Sequence, residues 1–379
     1  MTSELSSLCS YAKGKVSVDT LSKRNYVSTE NMMPNKGGIV DAGALPSAQY
    51  TQQYIKDDIL VSNIRPYFKK IWMADDDGGC SNDVLVFRAD RGCDSTFLYY
   101  ILANDAFFNY ASATSKGTKM PRGDKTAIMQ YKVPCFNYET QLRIGKLLRS
   151  IDDRIAVNKK INDNLQQQLF SLYENMATAS PCLKEYTLSN LCDFQEGYVN
   201  PPQTHPEYFD GEVKWLRAVD INESFIIETS RRLTKAGFES AKKSALLFEP
   251  NTIAISKSGT IGRLGIIADY MCGNRAVINI APHDTNMLAF IYCFLKSKQR
   301  EFPDMAVGSV QKNLYVSLLE PLSVSIPDNE SLTAFNAVGA SILGMIHNNC
   351  VENTDLANLR DTILPKLMSG EIDVSSVLL

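Results

Sequence analysis

The chain has 379 residues, of which 44% are apolar, 21% charged and 9% aromatic. That length suits two domains of ordinary size. The composition excludes a disordered chain, which is poorer in apolar residues, and a collagen-like one, which is far richer in Gly. With 39 basic and 42 acidic residues the formal net charge is −3, which excludes a protein that coats nucleic acid by bulk charge but not one with a local basic groove.

The opening stretch, MTSELSSLCSYAKGK, has no charged segment followed by an apolar one, so no signal peptide is expected. No apolar run approaches ~18 residues, so no membrane span is expected, and the location expected is cytoplasmic. The nine cysteines, Cys9, Cys80, Cys93, Cys135, Cys182, Cys192, Cys272, Cys293 and Cys350, form no CxxC pair and are expected to be reduced thiols. His205, His283 and His347 lie far apart and away from Cys at ligand spacing, so no metal site is expected.

Residues 58–62 and 83–87 are β-rich runs bounded by polar or Gly residues, and residues 97–110 have helical spacing. Arg65, Lys69 and Lys70 follow the first strand, and Lys116, Lys119, Arg122 and Lys125 occupy a Gly-containing loop. A long helix is predicted over 137–180. Its Ile144, Leu148, Ile151, Ile155, Asn158, Asn162, Leu165, Leu169, Leu172 and Met176 recur at alternate spacings of four and three, a heptad seam. Pro134 precedes it and Pro181 is expected to end it.

The second half repeats this plan. Strands are predicted at 252–256 and 276–280 and a helix at 288–298. Lys257 and Arg263 flank Ser258-Gly259-Thr260-Ile261-Gly262, and Lys312 lies in a second Gly-containing loop at 308–313. A second heptad seam runs through Phe335, Gly339, Ile342, Ile346, Asn349, Asn353, Leu356, Arg360, Ile363 and Leu367. Pro365 is expected to kink or fray its last turn, and Ser369-Gly370 to stop it.

The two halves match at a shift of 191 positions: Gly117 with Gly308, Val133 with Val324, Ile151 with Ile342, Asn158 with Asn349 and Asn162 with Asn353. Upstream, Cys80-Ser81-Asn82 matches Cys272-Gly273-Asn274 at a shift of 192. Both seams carry two Asn at their middle. A buried Asn costs stability but fixes register, because its amide needs a hydrogen-bonding mate. The helices are therefore expected to pair with each other through Ile151, Ile155, Asn158, Asn162, Leu165, Ile342, Ile346, Asn349, Asn353 and Leu356. The alternative is two amphipathic helices packed on separate cores. Residues 327–379 hold 2 basic and 7 acidic residues, which suits contact with protein better than with phosphate.

Glycines beside Ser, Thr, Lys and Arg let a backbone approach closely while offering N–H, hydroxyl and cationic donors, the set that phosphate contacts need. The candidate contact residues are Arg65, Lys69, Lys116, Lys119 and Arg122 in the first half and Lys257, Ser258, Thr260, Arg263 and Lys312 in the second. An ordinary solvated loop is the alternative. Asn200-Pro201-Pro202-Gln203 is similar to the Asn-Pro-Pro-aromatic motif of amino-methyltransferases, but Gln203 replaces the aromatic and no glycine-rich turn stands before it to hold S-adenosylmethionine. Gly259-Thr260-Ile261-Gly262 lacks the Gly-Lys-Ser/Thr of a phosphate-binding P-loop, and Asp75-Asp76-Asp77 lacks the spacing of a calcium loop. No catalytic constellation is expected.

Three segments resemble the specificity subunit of type I restriction-modification systems. Residues 208–216 are similar to that family's Tyr-x-x-Gly-x-x-x-Trp stretch, through Tyr208, Gly211 and Trp215. Residues 255–263 resemble its Ser/Arg-Gly-x-x-Gly segment, and residues 359–372, LRDTILPKLMSGEI, resemble the end of its second long helix. The first half departs, with Ser62-Asn63-Ile64-Arg65-Pro66 in place of Gly-x-x-Gly and no Trp motif at its start.

The resemblance implies an α+β protein with two globular target-recognition domains in tandem repeat, separated by two long helices that pair as a coiled coil. The domains would be 1–136 and 181–326, with helices at 137–180 and 327–379. It further implies a non-catalytic subunit that reads a bipartite double-stranded DNA target. The partners would be two methylase subunits, which hold S-adenosylmethionine and methylate adenine, and motor-nuclease restriction subunits. This chain would bind no cofactor itself. A helix of about 40 residues rises roughly 60 Å, so a fixed unread gap in the target is expected. The rival functions are a standalone adenine DNA methyltransferase and a coiled-coil interaction scaffold.

Overall fold

The computed structural model describes residues 2–179, 184–309 and 311–374. The helix stop expected at Pro181 lies outside the described residues, as do Cys182 and Val310. The chain divides into two compact units, one of Met1–Arg154 with Leu356–Leu379 and one of Ile155–Asp355.

In the first unit, the strands Cys9–Tyr11, Val84–Ala89, Ile59–Ser62 and Ile71–Met73 form one sheet in that order. Its two central strands are continuous apolar runs because both of their faces are covered. Ile59, Val61, Leu85 and Phe87 face a helical layer with Phe97, Leu98, Ile101, Phe107 and Phe108. Leu60, Val84 and Val86 face a second sheet through Tyr54, Cys80 and Val27. That second sheet orders Lys15–Ser17, Tyr50–Tyr54, Gly78–Cys80 and Tyr26–Val27. The segment with helical spacing is two helices, Ser95–Ala103 and Asp105–Ala113. Asn104 divides them by leaving helical geometry (ψ 139°) and accepting the Ala106 N–H on its side chain, so it caps the second helix.

The second unit repeats these layers. Cys192–Glu196, Val277–Pro282, Ile253–Ser256, Leu264–Ile267 and Phe225–Ile226 form its central sheet in that order. Ile253, Ile255, Ile278 and Ile280 face the helix Leu288–Lys298 through Phe290, Ile291, Phe294 and Leu295. Ala254, Ile267 and Val277 face Leu216, Phe248 and Met271 of the second sheet. Its longest strand, Phe209–Leu216, carries Trp215, whose indole N–H donates to the Val199 carbonyl at 2.8 Å.

The two long helices are Tyr138–Ala179 and Asn329–Ser369, of 42 and 41 residues. They pair antiparallel, as the polar layer shows. Within the second unit, Asn349 donates to Asn162 at 2.8 Å, and Asn158 donates to Asn353 at 3.0 Å and to Glu352 at 2.8 Å. Ile342 and Ile346 are buried beside this layer, with Ile155, Leu165, Asn349, Asn353 and Leu356 half-buried. Within the first unit, Ile144, Leu148 and Ile151 are buried, and Arg360 donates to Asp152 at 2.6 Å. Asp152 also accepts the buried Tyr100 hydroxyl at 2.6 Å.

One seam expectation fails, and of the kink or fraying expected at Pro365 the fraying is not found. Leu172 is 42% exposed rather than packed. The second helix runs through Pro365 to Ser369. Leu364 and Leu367, on either side of that proline, are both buried in the first unit's core, and this packing holds a turn that lacks one backbone donor.

Candidate nucleic-acid interface

In the second unit the candidate residues gather where the strand Ile253–Ser256 ends. Ser256 N donates to the Arg263 carbonyl and Gly262 N to the Ser256 carbonyl, each at 2.9 Å, which closes residues 256–263 into a tight loop. The buried Ser256 hydroxyl accepts the Arg263 N–H at 2.8 Å and donates to the Thr260 carbonyl. Gly259 and Gly262 have φ of +76° and +85°, which favour glycine. A Cβ on Gly262 would also stand 3.0 Å from Phe302.

The loop exposes Thr260 and half-exposes Ser258 and Arg263. Among the described residues the Arg263 guanidinium has no ion-pair partner. Asp269, six positions on, accepts from Lys214 at 2.9 Å. Lys257 is committed within the fold: its ammonium lies 2.8 Å from Glu196 and 4.7 Å from the Tyr315 ring centroid, with 12% of the side chain exposed. The second loop docks here, since Leu314 N donates to the Lys257 carbonyl at 2.9 Å, and Lys312 stands exposed on it. Arg275 is also exposed at this edge, beside Ala276, whose carbonyl accepts the Lys257 N–H at 2.7 Å. Sequence reasoning passed over Arg275, although it follows the matched Cys272-Gly273-Asn274 directly.

The first unit builds the same edge with other side chains. Asn63 stands where Lys257 does: Asn63 N donates to the Asp83 carbonyl at 2.8 Å, and Gly123 N donates to the Asn63 carbonyl at 3.2 Å. Lys116 and Arg122 exchange two backbone bonds of 2.9 Å, as Val307 and Asn313 do at 3.0 and 2.9 Å. Gly117 and Gly308 both take positive φ. The loops are therefore equivalent but their cations are not, because Val307 and Asn313 occupy the places of Lys116 and Arg122.

The charge balance differs as well. Lys116 pairs with Asp124, Arg122 with Asp83 at 3.0 Å, and Lys69 and Lys36 with Asp105 at 2.8 and 3.0 Å. Burial would raise the Asp105 carboxyl, but the hydrogen bonds from Lys69 and Lys36 outweigh it and hold the group below the usual carboxylate range. Arg65 takes a left-handed backbone (φ 51°), donates its N–H to the Pro121 carbonyl at 2.8 Å and keeps a buried Nε without a partner. Lys119 is exposed.

Burial pushes the Cys80, Cys93, Cys192, Cys272 and Cys293 thiols up to about 12, which keeps them protonated and poor nucleophiles. Among the described residues no three His, Cys, Asp or Glu side chains group to hold a metal ion. No helix among them is long and apolar enough to cross a membrane.

A family model described as a type I restriction modification DNA specificity domain matches residues 1–167 and 183–354. The chain is 24% identical over 308 residues to the type I restriction enzyme MjaIX specificity subunit of Methanocaldococcus jannaschii, covering 76% of this chain and 71% of that one. It is 27% identical over 176 residues to the type I restriction enzyme HindI specificity subunit of Haemophilus influenzae, covering 45% and 38%. Among solved structures, the S subunit of a type I restriction-modification system from M. genitalium shares the fold, with a TM-score of 0.57 and 19% identity over 97% of this chain and 96% of that one.

Proposed function

Because the chain belongs to the type I restriction-modification DNA specificity family, with two tandem specificity domains, we propose that each unit reads one half of a split double-stranded DNA target. The observation that carries this reading is the shared edge. In both units a Gly-containing hairpin loop docks beside the end of a central strand, at Asn63 in one and Lys257 in the other. On that edge Arg263, Arg275, Lys312 and Lys119, which have no ion-pair partner among the described residues, can meet phosphate or bases. Lys116, Arg122 and Lys69 must first leave a carboxylate.

The long helices support docking of partner subunits. Residues 331–351 contain no Asp, Glu, Lys or Arg. Ala334, Ala337, Val338, Ser341, Gly344, Met345 and Asn348 are exposed there at heptad spacing, away from the seam that pairs the two helices. An uncharged exposed stripe of this period suits another helix. The methylation chemistry and its S-adenosylmethionine would then belong to methylase subunits and cleavage to a restriction subunit, with this chain supplying specificity alone.

The test is a gel shift on a randomised duplex library, with the chain alone and with methylase subunits added. Selection of a bipartite site is the expected result. S-adenosylmethionine binding by the isolated chain, without selected DNA, would instead support an enzyme.

A further inference from the structure

The equivalent strand pairs of the two units differ in length. In the second unit, Cys192–Glu196 follows Val277–Pro282 for five residue pairs, and Gly197 N then donates to the Val277 carbonyl at 2.9 Å. In the first unit, Cys9–Tyr11 follows Val84–Ala89 for three pairs, and the last backbone bond is Ala12 N to the Val86 carbonyl at 2.9 Å. The chain then turns away, so that Gly14 accepts from Gln53 N and Lys15 pairs with Gln52 in the other sheet. The missing rungs leave a cleft of about 370 Å³ over the uncovered edge of residues 84–86. That volume lies within the ~300–1,000 Å³ of small-molecule sites.

The charge of the lining has one sign. It contains Lys15 and Lys125 and no carboxylate. Neither ammonium has an ion-pair partner among the described residues. The adjoining carboxylates, Asp83 and Asp124, are taken by Arg122 and Lys116. Tyr50 stands at the cleft with 54% of its surface exposed, and Asn82 and Gln52 add side-chain amides. Tyr11 forms a fixed wall, its hydroxyl donating to the Lys125 carbonyl at 3.0 Å and its ring 5.1 Å from that of Phe87. Two ammonium groups suit a phosphate, an open aromatic face suits a base, and amides suit base edges.

We propose that this cleft is a nucleotide site that takes one nucleoside phosphate. The nucleotide comes either from bound DNA, turned out of the stack, or from solution. The second source is independent of the DNA reading above, and the first rests on it.

The test is calorimetric titration of the full chain with nucleoside 5′-monophosphates and with inorganic phosphate. The expected result is saturable binding of one nucleotide per chain, with phosphate at least tenfold weaker. Lys15→Ala with Lys125→Ala should weaken nucleotide binding at least tenfold. Tyr50→Ala should bring it down to the level of phosphate, while Tyr50→Phe retains it. All three positions are exposed, and unchanged thermal melting confirms that the variants fold. Absence of saturable binding, or binding that neither Ala variant changes, overturns the proposal.

The same proteins are then titrated with target duplex in the assembled methylase. If saturating nucleotide and the double lysine variant both weaken DNA binding, the source is the DNA. If neither does, the source is free nucleotide. Nucleotide binding without any DNA binding by the wild type would sink the DNA reading and leave the site standing.

Discussion

Arg263 and Lys257 stand at the two ends of one loop and should respond oppositely to truncation. Arg263→Ala removes a guanidinium that no carboxylate among the described residues neutralises, and the bonds that close the loop run through main chain and Ser256. Nothing is left unpaired, so stability should stay within ~0.5 kcal/mol, as for surface changes. DNA binding by the assembled methylase should fall. Loss of a base contact costs ~1–3 kcal/mol, or roughly 5–150-fold, at one position of the target. Loss of a phosphate contact weakens all sequences evenly and lowers the salt slope by about one unit. Lys257→Ala instead takes the ammonium from Glu196, whose side chain is 20% exposed and keeps only the Tyr198 hydroxyl, at 3.0 Å, and uncovers the Tyr315 ring. Stranding one partner of a partly buried pair costs ~1–3 kcal/mol, so this variant should melt earlier and affect DNA only indirectly. Fluorescence anisotropy on target duplexes at three salt concentrations, with urea unfolding of each variant, measures both quantities. Arg263→Ala that melts early and binds DNA normally would refute the reasoning, because the arginine would then be a structural element of the loop.

Three further outcomes follow from the contacts described. Asn162→Leu and Asn349→Leu should each destabilise by ~1–3 kcal/mol, while the double variant recovers part of the sum, with a coupling of ~0.5–3 kcal/mol; strictly additive urea midpoints would mean that the amides do not act as a pair. Asp152→Ala strands the Tyr100 hydroxyl and takes one of two carboxylates from Arg360, which keeps Asp361 at 2.9 Å, and should cost roughly 2 kcal/mol, below the ~3–5 kcal/mol of fully buried pairs because the arginine keeps that partner and both ions keep some solvent contact; Asp152→Asn, which keeps an acceptor, should recover part of it in the same denaturation series. Exchanging residues 182–326 for the matching segment of a relative should change one half of the selected target only, and a change in both halves would mean joint reading.

The heptad seams were legible because period and repeat agree. Asn158 and Asn162 lie at the shift of Asn349 and Asn353, and the four amides meet as two pairs, Asn158 with Asn353 and Asn162 with Asn349. The central strands were legible as apolar runs, because burial on both faces removes alternation. The break at Asn104 was not, since a helix that stops and is recapped by one side chain keeps its apolar spacing across the join. Pro365 misled because the penalty is local while Leu364 and Leu367 are held by distant residues. At the candidate interface the loops were legible and the fate of their cations was not. Lys257 meets Glu196 from 61 positions away, and Lys214 takes Asp269 from 55 away, pairings that no local pattern announces.

The division of the chain also sets an order of completion during synthesis. The second unit is one uninterrupted stretch, Ile155–Asp355, and can close as soon as it leaves the ribosome. The first unit has segments on both sides of that stretch, and its core sets Leu364, Leu367 and Val374 beside Phe97, Ile144 and Leu148. At ~5–20 residues per second the intervening stretch takes about 10–40 s to make. For that interval the apolar surface around Phe97, Ile144 and Leu148 stays wet, waiting for Leu364, Leu367 and Val374 to be translated.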